Sequence, residues 1–123
     1  MTMRILVVED QEDNRTIVRD LLSSAGYEVI EATTGDEGVA VAKTETPDLI
    51  LMDIQLPGID GYEAARRIKA DPSNQHIPII AVTSYALSGD EIKAIEAGCD
   101  AYFAKPFSPR KLLDKIREFV PLD

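Results

Sequence analysis

The sequence predicts an α/β domain, a doubly wound sheet of five parallel strands in the order 2-1-3-4-5 with five helices on its faces. Three observations predict it. Short apolar runs alternate with longer amphipathic stretches five times along 123 residues. The runs Ile5-Leu6-Val7-Val8 and Leu49-Ile50-Leu51-Met52 are apolar throughout, as strands covered on both faces are. Each strand is separated from the next by a helix, and strand–helix–strand crossovers give parallel pairing.

Taken in order, Ile5–Val8 is a buried strand bounded by Glu9 and Asp10. A helix follows, with its apolar stripe at Ile17, Val18, Leu21, Leu22 and Ala25 and a stop at Gly26. Glu28–Ala32 is the second strand. Thr33-Thr34-Gly35 offers an N-cap for a helix rich in Ala and Val that runs to about Thr44, before Pro47. Leu49–Met52 is the third strand. A loop with Pro57, Gly58 and Gly61 leads to a helix from about Tyr62 to Ala70, with Ala65 and Ile68 inward. Asp71-Pro72-Ser73-Asn74 is turn chemistry, and Pro78 opens the fourth strand, Ile79–Val82. Ser88 or Asp90 starts a fourth helix, closed by Gly98, in which Ile92 and Ile95 are expected to face the core. Ala101–Phe103 is a short fifth strand. Pro109 suits the first turn of a last helix, whose stripe is Leu112, Leu113, Ile116, Phe119 and Val120. Five such units match the flavodoxin-like order, in which strands one and three adjoin at the switch point and ligands bind beyond the strands' carboxyl ends.

Composition narrows the function. With 45% apolar and 28% charged residues, the chain reads as one ordinary globular domain. Thirteen Lys and Arg against twenty-two Asp and Glu leave a net charge of −9, which argues against nucleic acid as a partner. No apolar run approaches the roughly twenty residues of a membrane span, and Met1-Thr2-Met3-Arg4 lacks the pattern of a secretory signal. A single cysteine, Cys99, fits a reducing compartment, so the expected location is the cytoplasm.

The residues that follow the strands carry the chemistry. Glu9 and Asp10 follow the first, Asp53 the third, Thr83 ends the fourth and Lys105 follows the fifth. Each alone reads as a helix cap, a strand-end hydroxyl or a surface loop residue; their convergence on one rim does not. Two carboxylates about 4 Å apart repel by roughly 4 kcal/mol at an effective dielectric of 20, a large fraction of the 5–15 kcal/mol that holds a domain together. Lys105 supplies one compensating charge and a hard dication two more. Magnesium, with its oxygen ligands and its association with phosphoryl groups, is the natural candidate.

A phosphoryl group could belong to a nucleotide, but neither G-x-x-x-x-G-K-[ST] nor G-x-G-x-x-G follows the first strand, and Asp10-Gln11-Glu12-Asp13-Asn14 would repel phosphate. A carboxylate nucleophile holding the group covalently fits better. Asp53 is that nucleophile, with Thr83 donating to one phosphoryl oxygen and Lys105 neutralising another.

Together, Glu9-Asp10, Asp53 within Leu-Met-Asp-Ile-Gln-Leu-Pro-Gly-Ile-Asp-Gly, Thr83-Ser84 and Lys105-Pro106-Phe107 resemble the receiver domain of two-component response regulators, over about Arg4 to Phe119. The resemblance implies that residues 1–123 form a single receiver domain. It is closest to stand-alone chemotaxis and cell-division regulators, with features also of receivers attached to hybrid kinases. It implies a phosphorelay switch in which Asp53 accepts phosphate from a phosphohistidine on a histidine kinase or histidine phosphotransfer protein. The product is a 4-aspartylphosphate, and the chain catalyses only its own phosphorylation and dephosphorylation. Magnesium, or manganese in its place, is implied to bind Asp10 and Asp53 directly, Glu9 through water, and the backbone carbonyl of Gln55. Thr83 and Tyr102 match the switch pair, Gln55 and Tyr85 the positions that tune hydrolysis, and the Lys105-Pro106 bond is implied to be cis. A downstream protein target would bind in trans to the face of helix 4, strand 5 and helix 5, roughly Ser88 to Phe119.

Other residues earn plainer readings. His76 sits in a turn-like loop, Cys99 is a small packed residue, and Arg66, Arg67 and Lys69 form a solvated helix face. Asp13, Asp36, Glu37 and Asp60 are surface or capping acids. Two enzyme or cofactor classes fit less well. A phosphatase of the haloacid dehalogenase type needs a second Asp where Gln55 stands, and a flavodoxin needs a Ser/Thr-rich loop where Glu9 to Asp13 stand. A degenerate receiver that signals without phosphate would lack site positions that are intact here.

Overall fold

The computed structural model describes residues 2–84, 90–105 and 108–122. The elements run β1 (Arg4–Val8), α1 (Glu12–Ser24), β2 (Glu28–Ala32), α2 (Gly35–Glu45), β3 (Leu49–Asp53), α3 (Gly61–Ala70), β4 (Ile79–Thr83), α4 (Asp90–Glu96), β5 (Ala101–Ala104) and α5 (Pro109–Phe119). All strand pairs are parallel, in the order β2-β1-β3-β4-β5. Strands β1, β3, β4 and β5 reach one residue beyond the runs expected from hydrophobicity, because ladder pairing continues into flanking residues such as Asp53 and Thr83.

Alternation of side chains along each strand divides the core in two. Ile5, Val7, Leu49, Leu51 and Ile80 pack with Leu22 of α1 and with Leu112 and Ile116 of α5. Leu6, Val8, Ile50, Met52, Ile79 and Ala81 pack on the opposite face with Ala42, Ala64, Ala65, Ile68 and Ala94. The central strands are therefore apolar on both sides, which is why their sequence shows no alternation.

Helix ends follow local chemistry. Thr34 accepts the Glu37 N–H at the start of α2, and Asp60 accepts the Glu63 N–H at the start of α3. Gly26 and Gly98, with φ of 103° and 94°, supply the left-handed turns after α1 and α4.

Three expectations are overturned. Ile92 and Ile95 do not face the core but are 61% and 64% exposed; Ala94 and Ala97 turn inward instead. Ala94 and Ala97 join the same core cluster as Ile68, Ile77 and Ile79. Lys69 is not solvated either. Its ammonium donates to the carbonyls of Gln75 and Ile77, at 3.2 and 2.6 Å, and pairs with Asp100, tying the turn after α3 to the start of β5. In α1, Ile17 of the expected stripe is 63% exposed at the stripe's edge. Arg66 and Arg67 are exposed and pair with Glu63, His76 is exposed in its turn, and Cys99 is buried, which pushes its thiol up to about 11.

Candidate functional site

Register builds the site. Val8 lies opposite Met52, so Glu9 and Asp53 are the next residues of adjacent strands; Thr83 lies opposite Ala104, which brings Lys105 to the same rim. Side-chain parity then sorts them. Glu9 continues the Ile5-Val7 series and Asp53 the Leu49-Leu51 series, both toward α1 and α5, while Thr83 continues Ile79-Ala81 toward the opposite layer. Tyr102 is half-buried in that same layer, opposite Ala81 and so two residues along the ladder from Thr83.

The acids are crowded, as the sequence implied. Carboxylate oxygens of Glu9, Asp10 and Asp53 all lie within 4.8 Å of one another. Glu9 and Asp53 are buried, Asp10 half-buried. Lys105 Nζ donates to Glu9 Oε1 at 2.9 Å and stands 3.5 Å from Asp53 Oδ2. A backbone N–H reaches each of the two buried acids: Gln11 to Glu9 Oε2 at 3.1 Å and Gln55 to Asp53 Oδ1 at 3.2 Å.

Electrostatics follow from that geometry. Burial, and then the Glu9 charge, push Asp53 up to about 7, against the partial relief of Lys105. For Glu9, burial raises the carboxyl, but the Lys105 and Gln11 hydrogen bonds outweigh it and the net shift is downward. Burial disfavours the Lys105 ammonium, yet the Glu9 bond and both carboxylate charges hold it above its ordinary value. An anionic pocket with one cation between two buried acids fits a hard dication with oxygen ligands.

Three features escaped the sequence. Arg15 of α1 donates to the Glu9 carbonyl at 3.0 Å while pairing with Glu31 of β2, which braces the turn that carries the two acids. Gly61 starts α3 so close to β3 that a Cβ there would stand 2.2 Å from the Asp53 carbonyl oxygen. The side-chain amide of Gln55 crosses to β4, donating to Thr83 Oγ1 and accepting the Ser84 N–H at 2.9 Å. Only the third has a visible signal, an amide two residues past the acid. A cavity of about 550 Å³ opens beside Glu9, Asp53 and Lys105, under Ile17 and Val18 of α1 and Leu112 of α5. The sequence expectations for Tyr85, for Ser88 as a helix start and for the Lys105-Pro106 bond lie outside the described residues.

Comparison with known proteins agrees with this geometry. Residues 5–117 match the family model of the response regulator receiver domain. The polar-differentiation response regulator DivK of Brucella ovis is 42% identical over 120 residues, 98% of each chain. A CheY-like response regulator receiver domain protein from Methanospirillum hungatei is 38% identical with a TM-score of 0.87, covering 96% of this chain and 93% of its own. The receiver domain of a sensor histidine kinase from Pseudomonas aeruginosa, solved with magnesium coordinated in the active site cleft, is 38% identical. Its TM-score is 0.91 and the match covers 99% of this chain and all of that one.

Proposed function

Because the chain belongs to the response regulator receiver family, a family of signalling switches, we propose that residues 1–123 act as one receiver domain, phosphorylated on Asp53 by a phosphohistidine of a histidine kinase or histidine phosphotransfer protein. The observation that carries this reading is the buried Asp53 carboxylate, crowded by Glu9 and Asp10 and answered by Lys105.

An Asp53 oxygen attacks phosphorus, the P–N bond of the donor breaks, and the imidazole leaves with its electron pair. Lys105, already within reach of Asp53, pairs with the phosphoryl group. Thr83, at the end of the neighbouring strand, offers its hydroxyl to a phosphoryl oxygen, and Tyr102 of the same layer fills the space the hydroxyl leaves. Asp10, Asp53, the Gln55 carbonyl and, through water, Glu9 would hold magnesium or manganese, which offsets negative charge during phosphoryl transfer. The receiver of the Pseudomonas aeruginosa kinase supports this choice of ion. The cavity beside Asp53, with exposed Ile17 at its edge, gives an imidazole-bearing partner a way in.

The signal then passes in trans to a protein target through α4, β5 and α5, where Ile92 and Ile95 present apolar surface that the core does not use. Among the described residues no helix is long and apolar enough to cross a membrane. We place the protein in the cytoplasm, where its one free, buried cysteine suits a reducing environment.

The test is phosphorylation itself. With magnesium and acetyl phosphate or phosphoramidate, the mass should rise by one phosphoryl group, and Asp53→Asn should abolish the gain. Uptake that persists in the variant removes Asp53 from the central role.

A further inference from the structure

Gln55 lies two residues past Asp53, in the loop between β3 and α3, and its side chain is bound at both ends. Its amide nitrogen donates to Thr83 Oγ1, its amide oxygen accepts the Ser84 N–H at 2.9 Å, and its own backbone N–H donates to Asp53 Oδ1 at 3.2 Å. One residue thus touches the acceptor acid, the hydroxyl at the end of β4 and the first amide beyond it. Thr83 belongs by strand parity to the layer opposite Asp53, and the Gln55 amide is among the groups that hold it there.

We infer that Gln55 is a positioning residue that holds Thr83 and Ser84 in their resting arrangement, so that its two side-chain hydrogen bonds must break before the Thr83 hydroxyl can turn to a phosphoryl group on Asp53. The inference rests on the function proposed above. The chemistry is specific to an amide, which has a donor and an acceptor on one carbon and so engages a hydroxyl oxygen and a backbone N–H together. Phosphoryl oxygens, charged and stronger as acceptors, compete with the Gln55 oxygen for the Ser84 N–H. The Gln55 side chain therefore sets how much phosphorylation must overcome, while its backbone carbonyl stays available to a metal ion.

Two variants and two readouts test it. Gln55→Met keeps the length and loses both bonds; Gln55→Glu keeps an acceptor for Ser84. In the metal-free, unphosphorylated protein, the Ser84 amide should exchange with solvent about tenfold faster in Gln55→Met, and the Gln55→Glu rate should fall nearer the parent. With magnesium, Gln55→Met should bind beryllofluoride about tenfold more tightly, the equivalent of two neutral hydrogen bonds removed from the resting state alone. In a Thr83→Val background the gain should shrink. Unchanged Ser84 exchange in Gln55→Met, or beryllofluoride affinity equal to or below the parent's, overturns the inference. A parent that binds no beryllofluoride refutes the phosphoacceptor reading instead, and the Ser84 exchange then decides the positioning role by itself.

Discussion

Lys105 is bound more closely to Glu9 than to Asp53: its ammonium lies 2.9 Å from Glu9 Oε1 and 3.5 Å from Asp53 Oδ2. The cation therefore chiefly neutralises Glu9, the neighbour of Asp53. Burial raises both carboxyls; at Glu9 the Lys105 and Gln11 hydrogen bonds outweigh it, whereas at Asp53 burial and then the Glu9 charge prevail over the more distant Lys105, so one carboxyl is lowered and the other raised.

Lys105→Met removes this answer. Glu9, buried and without its cation, should become harder to ionise, and metal-free stability at pH 7 should fall by about 2 kcal/mol. Magnesium should restore part of the loss. Urea denaturation with and without the ion measures both, and a variant as stable as the parent in metal-free buffer contradicts the pairing.

Asp53→Asn should stabilise the metal-free protein, because it removes a buried charge crowded by others. The folded-state pKa of Asp53 is raised from 3.8 to about 7, so its contribution to stability is complete below about 3.8 and is lost as pH rises through 7. Glu9 acts in the opposite sense, and its contribution is already complete above its ordinary 4.5. Between pH 5 and 8 the melting temperature of the parent should therefore decline and that of Asp53→Asn stay nearly flat. At pH 8 the variant should lead by about 1–3 kcal/mol, or roughly 5 °C. A lower melting temperature in the variant means that the acids do not oppose one another.

If Asp53 holds magnesium as proposed, the ion must displace the proton from its carboxyl. Its apparent affinity should rise about tenfold per pH unit well below 7 and level off above it. Titration calorimetry across pH 5.5–8 reads this directly; a constant affinity over that range separates the ion from the acid.

Thr83→Ala should still take up a phosphoryl group on Asp53, since the proposed nucleophile and Lys105 remain, but should lose the proposed change in partner binding on phosphorylation. Mass spectrometry with a pull-down of the target distinguishes the two steps. A variant that responds like the parent gives the switch to another residue.

Gly61→Ala probes the approach of α3 to β3. The new methyl carbon meets two backbone atoms, the Asp53 carbonyl oxygen at 2.2 Å and Ile54 Cα at 2.8 Å, and neither can yield as a side-chain tip would. The expected loss is about 2–3 kcal/mol by urea denaturation, with weaker phosphorylation because the carbonyl that moves is that of the proposed acceptor, Asp53.

The amino-acid order by itself determined the strands, their sequence along the chain and the five rim positions, because these depend on local signals. Two faces of burial make a run apolar, and a polar residue that follows such a run stands at the sheet's edge. What it left open were relations between segments far apart. Ile92 and Ile95 looked inward by spacing, yet it is Ala94 and Ala97 that α4 and the turn after it bury, because which face of a helix meets the sheet is set by the packing of the whole domain. Lys69 read as a surface cation until the turn after α3 placed two carbonyls and Asp100 around it. The preference of Lys105 for Glu9 and the bridge from Gln55 to Thr83 likewise depend on strand register and on distances that emerge only once the sheet has closed. Local periodicity decides what an element is; the competition of many side chains for the same few ångströms decides which of them meet.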